Sequence, residues 1–131
     1  MQLPRILSVG TAHPPTRYSQ EEILAMYRVP DARVAAMFKA PHVRTRHLIL
    51  PEPDADGIPR ETMGELLHKH RQGALQMGRD AVARCLEPMG LTAADVDYLC
   101  VVSSTGFMLP GLTAMFIKHL GFRVDCSRTD I

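Results

Sequence analysis

The stretch YLCVVSSTGFMLPGLTAMFIKHLG, residues 98–121, contains in one run the signals for a strand, a polar loop and a helix. The apolar segment 99–102 is short and contains two valines, which predicts a strand buried on both faces. Three hydroxyl residues follow it directly, Ser103, Ser104 and Thr105. Small polar groups at the end of a buried strand are where α/β sheets place ligand sites.

The second half of this stretch predicts a helix at residues 111–120. Gly106 interrupts the chain, Pro110 stands where a helix can begin, and Gly121 stands where one ends. Two interpretations remain open at this point. The hydroxyl residues line a ligand site, or they cap backbone groups at an ordinary strand–loop–helix junction.

The composition of the 131 residues is that of one modest globular domain, with 46% hydrophobic and 22% charged residues. A net charge of +1 predicts no strong attraction to nucleic acid or to a membrane surface. We see no apolar run of membrane-spanning length and no secretion signal. Three cysteines without CxxC spacing argue against a disulfide framework or a zinc site and favour a reducing, cytoplasmic setting.

Upstream of this stretch, helical and strand signals alternate. Ser19 and Glu22 form a capping-box pattern before a short helix, and Asp31 caps a second helix whose apolar side carries Val34, Met37 and Phe38. Weak alternation predicts strands at 5–9 and 43–50.

The longest helical pattern covers residues 62–87, with one apolar stripe at steps of three and four. His68 and His70 are two positions apart on this helix, so they point to different sides and make a poor metal pair. Pro88 and Gly90 end the helix, and Asp130 is predicted to start a last strand. The helix–turn–strand order is that of an α/β protein.

Four cations lie close together in an otherwise neutral chain: Arg33, Lys39, Arg44 and Arg46. Such a group can bind phosphates, because guanidinium and ammonium groups donate charge-assisted hydrogen bonds to anions. A solvated helix face followed by a charged strand explains the same cations equally well.

The chain resembles the opening part of the type III polyketide synthases, the chalcone-synthase-like branch of the thiolase fold. The strongest part of the resemblance is SSTGFMLPGLTAMFIKHLGFR, residues 103–123, in which hydroxyl residues precede G-x-x-x-P-G and a helix closes on L-G-x-R. The segments MFK at 37–39 and VRTRH at 43–47 are similar to the basic segment of the family. Among bacterial members, the sequence is most similar to those of the enzymes that make 3,5-dihydroxyphenylacetyl-CoA.

The resemblance implies the N-terminal segment of a thiolase-like domain, with αβαβα layers and a mixed sheet, covering residues 1–131 and incomplete at its C-terminal end. It implies that Ser104 and Thr105 line the substrate pocket and that Leu109 reaches into the cavity of a partner subunit. It also implies that Arg33 contacts coenzyme A phosphates. Lys39 lies one position from a family lysine that does the same.

The family has a further arginine that contacts coenzyme A. The corresponding position in this chain is Ala36, so we expect that contact to be absent. The resemblance implies an acyltransferase that condenses malonyl-CoA units by decarboxylation, with coenzyme A thioesters as substrates and no resident cofactor. The partners it implies are the remainder of the same enzyme and a second subunit of a homodimer.

The nucleophilic cysteine of the family falls beyond Ile131, and its His and Asn fall further on. Cys126 lacks the glycine turn of that nucleophile, so we interpret it as a bystander and interpret Cys85 and Cys100 as core residues. We therefore expect residues 1–131 alone to be inactive. The alternatives are another thiolase-fold enzyme, either a type III synthase with a different starter or a β-ketoacyl carrier-protein synthase III, and a non-catalytic half-domain that serves as an interaction module.

Overall fold

The computed structural model describes residues 3–40, 42–106 and 108–131, and its elements alternate between helices and short strands. In chain order they are β1 (Arg17–Ser19), α1 (Gln20–Met26), α2 (Ala32–Lys39), β2 (Thr45–His47), α3 (Met63–Leu86), β3 (Tyr98–Val101), α4 (Leu112–Leu120) and β4 (Ser127–Asp130). Two 3₁₀ turns, Glu87–Met89 and Ala93–Asp95, lie between α3 and β3. The predicted α/β class is confirmed.

The chain divides into two compact units. We call His13–Glu65 the polar unit, and Met1–Ala12 together with Leu66–Ile131 the core unit. The core unit contains the main hydrophobic cluster, and the polar unit contains the buried, hydrogen-bonded side chain of Gln20. Each unit contains one two-stranded sheet, antiparallel between β1 and β2 and parallel between β3 and β4.

In the polar unit, the predicted capping box at the start of α1 is confirmed. The backbone N–H of Glu22 donates to Ser19 Oγ at 3.1 Å, and the backbone N–H of Ser19 donates to the Glu22 carboxylate at 2.6 Å. Asp31 caps α2 in the same way, because its Oδ1 accepts from the backbone N–H of Arg33 at 2.7 Å. These short helices begin where their side chains satisfy free backbone donors.

Two predictions for the polar unit are only partly correct. The strand predicted at 43–50 shortens to Thr45–His47, because β1 pairs with it over three residues only. The apolar side of α2 is largely exposed, since Met37 is 72% accessible and no residue of this helix is buried.

In the core unit, α3 and α4 pack around one hydrophobic cluster. Its buried members are Leu112, Met115, Phe116, Phe122 and Cys126. Leu99 and Val101 of β3 pack against this cluster from the sheet. The long helix α3 approaches at Gly78, where an added Cβ would collide with the ring of Phe116. Glycine at this position therefore allows the close approach of the two helices.

The end of α3 agrees with its prediction, since Gly90 takes a left-handed conformation at φ 68° after Leu86 and the following turn. The strand predicted at 5–9 does not form. Ile6 is 89% and Val9 74% exposed, and no strand in the described part of the chain pairs with this segment.

The strand predicted at 99–102 forms as Tyr98–Val101 but is covered on one face only. Cys100 and Val102 are exposed, and the described residues supply β4 as the single strand beside it. β4 starts at Ser127, earlier than the predicted start at Asp130, because it pairs with β3 from Tyr98 onward. None of the helices in the described ranges has the length and apolarity that a bilayer crossing requires.

Candidate functional site

The carboxyl end of β3 carries the hydroxyl residues on a loop tied to β4. The backbone N–H of Ser103 donates to the carbonyl of Ile131, and that of Ile131 donates to the carbonyl of Val101, both at 2.9 Å. The hydroxyl of Ser103 donates to the carbonyl of Thr105 at 2.8 Å, which folds the loop back on itself. Ser103 therefore performs the capping role that its position at the strand end allows.

A pocket of about 210 Å³ opens beside this loop, at the strand ends and the start of α4. It is lined by Val101, Ser103, Gly106, Met108, Gly111, Leu112, Asp130 and Ile131. A pocket thus lies beside the predicted hydroxyl residues, and the hydroxyl in its lining is that of Ser103. Ser104 and Thr105 lie on the same loop with exposed side chains, so their part in a substrate pocket stays a prediction.

Asp130 closes one wall of this pocket by capping α4. Its Oδ1 accepts from the backbone N–H of Thr113 at 2.9 Å, and its Oδ2 accepts from the Thr113 hydroxyl at 2.6 Å. Thr113 is 1% exposed, and a Cβ on the helix cap Gly111 would meet the same carboxylate. A helix N-terminus attracts anions, and here the chain's own carboxylate takes that position.

His70 of α3 lies under the turn at Gly106. A Cβ at Gly106 would collide with the imidazole ring, and Gly106 also has a φ of 73°, so both contact and backbone conformation require glycine. The Nε2 of His70 is buried without a hydrogen-bond partner among the described residues. The sequence indicated only that His70 lies on the long helix and makes a poor metal pair with His68, and no local signal showed that it lies against the hydroxyl loop.

Leu109 stands out on the surface of the core unit. Its side chain is 90% exposed and lies at the edge of a second pocket of about 260 Å³. The other residues that line this pocket are Leu67, His68, Arg71, Met108, Pro110 and Met115. An apolar side chain exposed to this extent can pack against another surface, which suits the implied reach into a partner subunit. That role stays a prediction.

In the polar unit, buried Gln20 organises the basic segment. Its Nε2 donates to the carbonyls of Phe38 and Val43, both at 3.0 Å, and its Oε1 accepts from Nε of Arg46 at 3.2 Å. Every polar atom of this side chain is therefore satisfied although Gln20 is 4% exposed. No local sequence signal indicated this role, because the partners are 18 to 26 residues away.

The structure does not bring all four cations, Arg33, Lys39, Arg44 and Arg46, to one pocket. Lys39 and Arg44 line one pocket of about 290 Å³, together with Gln20, Glu21 and Val43. Arg33 is at the opposite end of α2 from Lys39 and does not line that pocket. Arg33 and Lys39 therefore lie at opposite ends of α2, and their contacts with coenzyme A phosphates stay predictions.

Three of the carboxylates with lowered pKa values cap helices and turns. The backbone N–H of Ser19 lowers the pKa of Glu22, and the backbone N–H groups of Thr62 and Thr92 lower the pKa values of Glu65 and Asp95. Hydrogen bonds to the ionised form cause these shifts, so the shifts report structural caps and mark no catalytic acid or base.

The cysteines differ from their prediction. Cys126 is 5% exposed and belongs to the hydrophobic cluster, whereas Cys100 is exposed on the open face of β3 and Cys85 is half-buried. Cys100 was therefore wrongly assigned to the core, because its strand is covered on one face only. Among the described residues, no group of three histidine, cysteine or acidic side chains could hold a metal ion.

Comparison with known proteins gives a consistent set of relatives, although no protein-family model matches the chain. The chain is 43% identical to the 3,5-dihydroxyphenylacetyl-CoA synthase of Streptomyces toyocaensis over 129 residues, which are 98% of this chain and 33% of that protein. It is 40% identical to the enzyme of the same name from Amycolatopsis balhimycina, covering 99% of this chain and 35% of that one. The chain spans about a third of the length of these relatives.

The fold has a match among solved structures. The crystal structure of 1,3,6,8-tetrahydroxynaphthalene synthase from Streptomyces coelicolor, a bacterial type III polyketide synthase, superposes with a TM-score of 0.74 at 25% identity. The match covers 95% of this chain and 38% of that one. In sequence and in its thiolase-like fold, this chain therefore corresponds to the N-terminal third of the type III polyketide synthases.

Proposed function

We propose that this chain is the N-terminal segment of an acyltransferase that builds an aromatic polyketide from malonyl-CoA, with 3,5-dihydroxyphenylacetyl-CoA as the product. The observation that carries the proposal is the 43% identity over 98% of the chain to an enzyme named for that product. The fold match to a type III polyketide synthase supports the same class of reaction.

The proposed chemistry divides between this segment and the rest of the enzyme. A cysteine thiolate takes the acyl group from coenzyme A. Decarboxylation of a malonyl unit then produces an enolate, and this enolate attacks the cysteine-bound acyl group. Aimed hydrogen-bond donors stabilise the enolate and the thioester oxyanion. In this proposal, residues 1–131 supply part of the cavity wall and part of the coenzyme A entrance, and the cysteine, histidine and asparagine lie outside them.

Within this segment, we assign Ser104 and Thr105 to the substrate cavity and Leu109 to a contact across a homodimer interface. The 90% exposure of Leu109 supports that assignment, because an apolar side chain in water gains free energy on burial. Arg33 and Lys39 are assigned to the phosphates of coenzyme A. We place the enzyme in the cytoplasm and in antibiotic biosynthesis, as proposals that follow from the resemblance.

The direct test is turnover of malonyl-CoA by the full-length protein that carries this chain, with products identified by mass spectrometry. We expect 3,5-dihydroxyphenylacetyl-CoA or the acid that its hydrolysis releases. A tetrahydroxynaphthalene product would reassign the specificity within the same enzyme class. Condensation that occurs only after an acyl carrier protein is added, with the product bound to that carrier as a thioester, would contradict the assignment to this class.

A second arm uses residues 1–131 alone. We expect no acyl transfer and no covalent acyl adduct in the intact mass, because Cys126 is buried in the core and the proposed nucleophile is elsewhere. Detectable turnover by this segment would overturn the division of chemistry proposed above.

The entrance can be tested at Arg33. In the full-length protein, Arg33→Ala is expected to weaken coenzyme A binding by about tenfold, since a charge-assisted hydrogen bond contributes roughly 1.5 kcal/mol. Isothermal titration calorimetry with coenzyme A gives the Kd, and circular dichroism checks that the fold is intact. An unchanged Kd in a folded variant would remove Arg33 from the entrance.

A further inference from the structure

We infer that buried Gln20 positions Lys39 and Arg44 as a two-cation clamp for one phosphate group of coenzyme A. The inference rests on the proposed function, because coenzyme A is the phosphate-bearing ligand of that reaction. It adds Arg44 as a binding residue and Gln20 as a positioning residue to the contacts assigned above.

The first step is the placement of the hydrogen bonds of Gln20. Its Nε2 donates to the carbonyl of Phe38, which immediately precedes Lys39, and to the carbonyl of Val43, which immediately precedes Arg44. Its backbone N–H donates to the carbonyl of Arg44 itself at 3.3 Å. One buried residue thus fixes the backbone next to both cations.

The second step is the pocket that Gln20 lines together with both cations. Lys39 and Arg44 line the same pocket of about 290 Å³, and Glu21 is the acidic residue in its lining. The formal charge of these three side chains is +1, from two cations and one carboxylate. A phosphate monoester carries about −1.5 to −2 at neutral pH, so the pocket favours such a group over a neutral ligand.

The third step is the chemistry of the two cations. Lysine offers a compact point charge, and arginine offers a planar fork of N–H donors that can bind two phosphate oxygens at once. Arg33 precedes Lys39 by six residues, which is about 9 Å along a helix axis. It lies outside this pocket, so we assign it to a different phosphate of the same coenzyme A molecule.

The clamp makes a prediction that separates phosphate binding from general damage. In the full-length enzyme, KM and kcat are measured with malonyl-CoA and with malonyl-pantetheine, which lacks the phosphates of coenzyme A. Arg44→Gln is expected to raise KM for malonyl-CoA by about tenfold. KM for malonyl-pantetheine should stay within twofold, because no phosphate is present to lose a contact.

Two further variants test the positioning role and the sign of the charge. Gln20→Met keeps the length of the side chain but removes its donors, and it should raise KM for malonyl-CoA selectively, as Arg44→Gln does. If Gln20→Met fails to fold, Gln20→Glu takes its place. The glutamate retains an acceptor for Arg46 and loses the donors to both carbonyls. Glu21→Gln removes the opposing carboxylate and should lower KM for malonyl-CoA.

Arg17→Gln provides the matched control, since Arg17 is an exposed arginine of the same unit that does not line the pocket. If the wild-type enzyme turns over malonyl-CoA and Arg44→Gln changes KM for both substrates equally, or for neither, the clamp is overturned. The proposed function would still stand in that case. A selective effect of Arg44→Gln without one from either folded Gln20 variant would overturn the role of Gln20. A wild-type enzyme that turns over neither substrate would overturn the proposed function and the clamp with it.

Discussion

The two units of this chain are stabilised in different ways. The core unit buries a cluster of five hydrophobic side chains around α4, and its helices approach closely at Gly78. In the polar unit, the buried residues among those described are Gln20, Ile23 and Pro59, and the short helices start at side-chain caps. The comparison shows that the stability of the core unit is spread over many apolar contacts, whereas the stability of the polar unit depends on a few hydrogen bonds.

The largest effect is expected from Phe116→Ala in the core unit. Phe116 is 7% exposed, and truncating a buried phenylalanine costs about 3 to 5 kcal/mol of unfolding free energy through lost burial and a residual cavity. Urea denaturation followed by far-UV circular dichroism measures the loss.

The contact between Phe116 and Gly78 supplies the control. Gly78→Ala alone should destabilise by about 1 to 3 kcal/mol, because its Cβ would collide with the Phe116 ring. Combined with Phe116→Ala, the same alanine should be tolerated, since it then fills space. Additive losses in the double variant would show that the two helices do not meet at this point.

A smaller loss is expected from Asp130→Ala, also in the core unit. The change leaves the backbone N–H and the buried hydroxyl of Thr113 without their acceptor, which costs about 2 kcal/mol. Asp130→Asn keeps an acceptor oxygen and should cost less. Equal losses for the two variants would mean that the charge, and not the cap, stabilises α4.

Ser19→Ala tests the polar unit and should cost about 1 kcal/mol, the usual loss on removing a helix N-cap. If the polar unit depends on single hydrogen bonds, hydrogen exchange should accelerate in α1 and leave α4 unchanged. Faster exchange in both helices would break the distinction between the two units.

The smallest effect is the acid response of the caps. The pKa of Glu22 is lowered in the folded state by the backbone N–H of Ser19, so the cap stabilises the protein above the ordinary glutamate pKa of about 4.3. That contribution disappears as the pH falls through the lower folded pKa. The difference in Tm between wild type and Glu22→Gln should therefore be present at about pH 6 and shrink below pH 4. A difference that persists in acid would contradict the role of the carboxylate.

The contrast between the units also explains what could be predicted from the sequence. The caps at Ser19 and Asp31 and the helix end at Gly90 were correct, because their signals and partners lie within four residues of each other. Gln20 and Asp130 were missed as structural residues, because their partners are distant in sequence and are brought near by strand pairing and turns.

The errors at the strands have the same origin. An apolar run indicates that burial is available, but the neighbouring strands decide whether both faces are covered. Cys100 is therefore exposed where the sequence predicted core, and the segment at 5–9 pairs with no strand of the described residues. For the candidate site, the position of a pocket was predictable from the strand–loop–helix order, but the identity of its hydroxyl, Ser103, was not.

The different exposure of the thiols makes their chemical labelling a measure of whether the core is closed. A water-soluble disulfide reagent should modify exposed Cys100 before Cys126, which is 5% exposed and stays protected until the core opens. Mass spectrometry of quenched aliquots would then follow the opening of the core through the labelling of Cys126, without a tryptophan or any added dye.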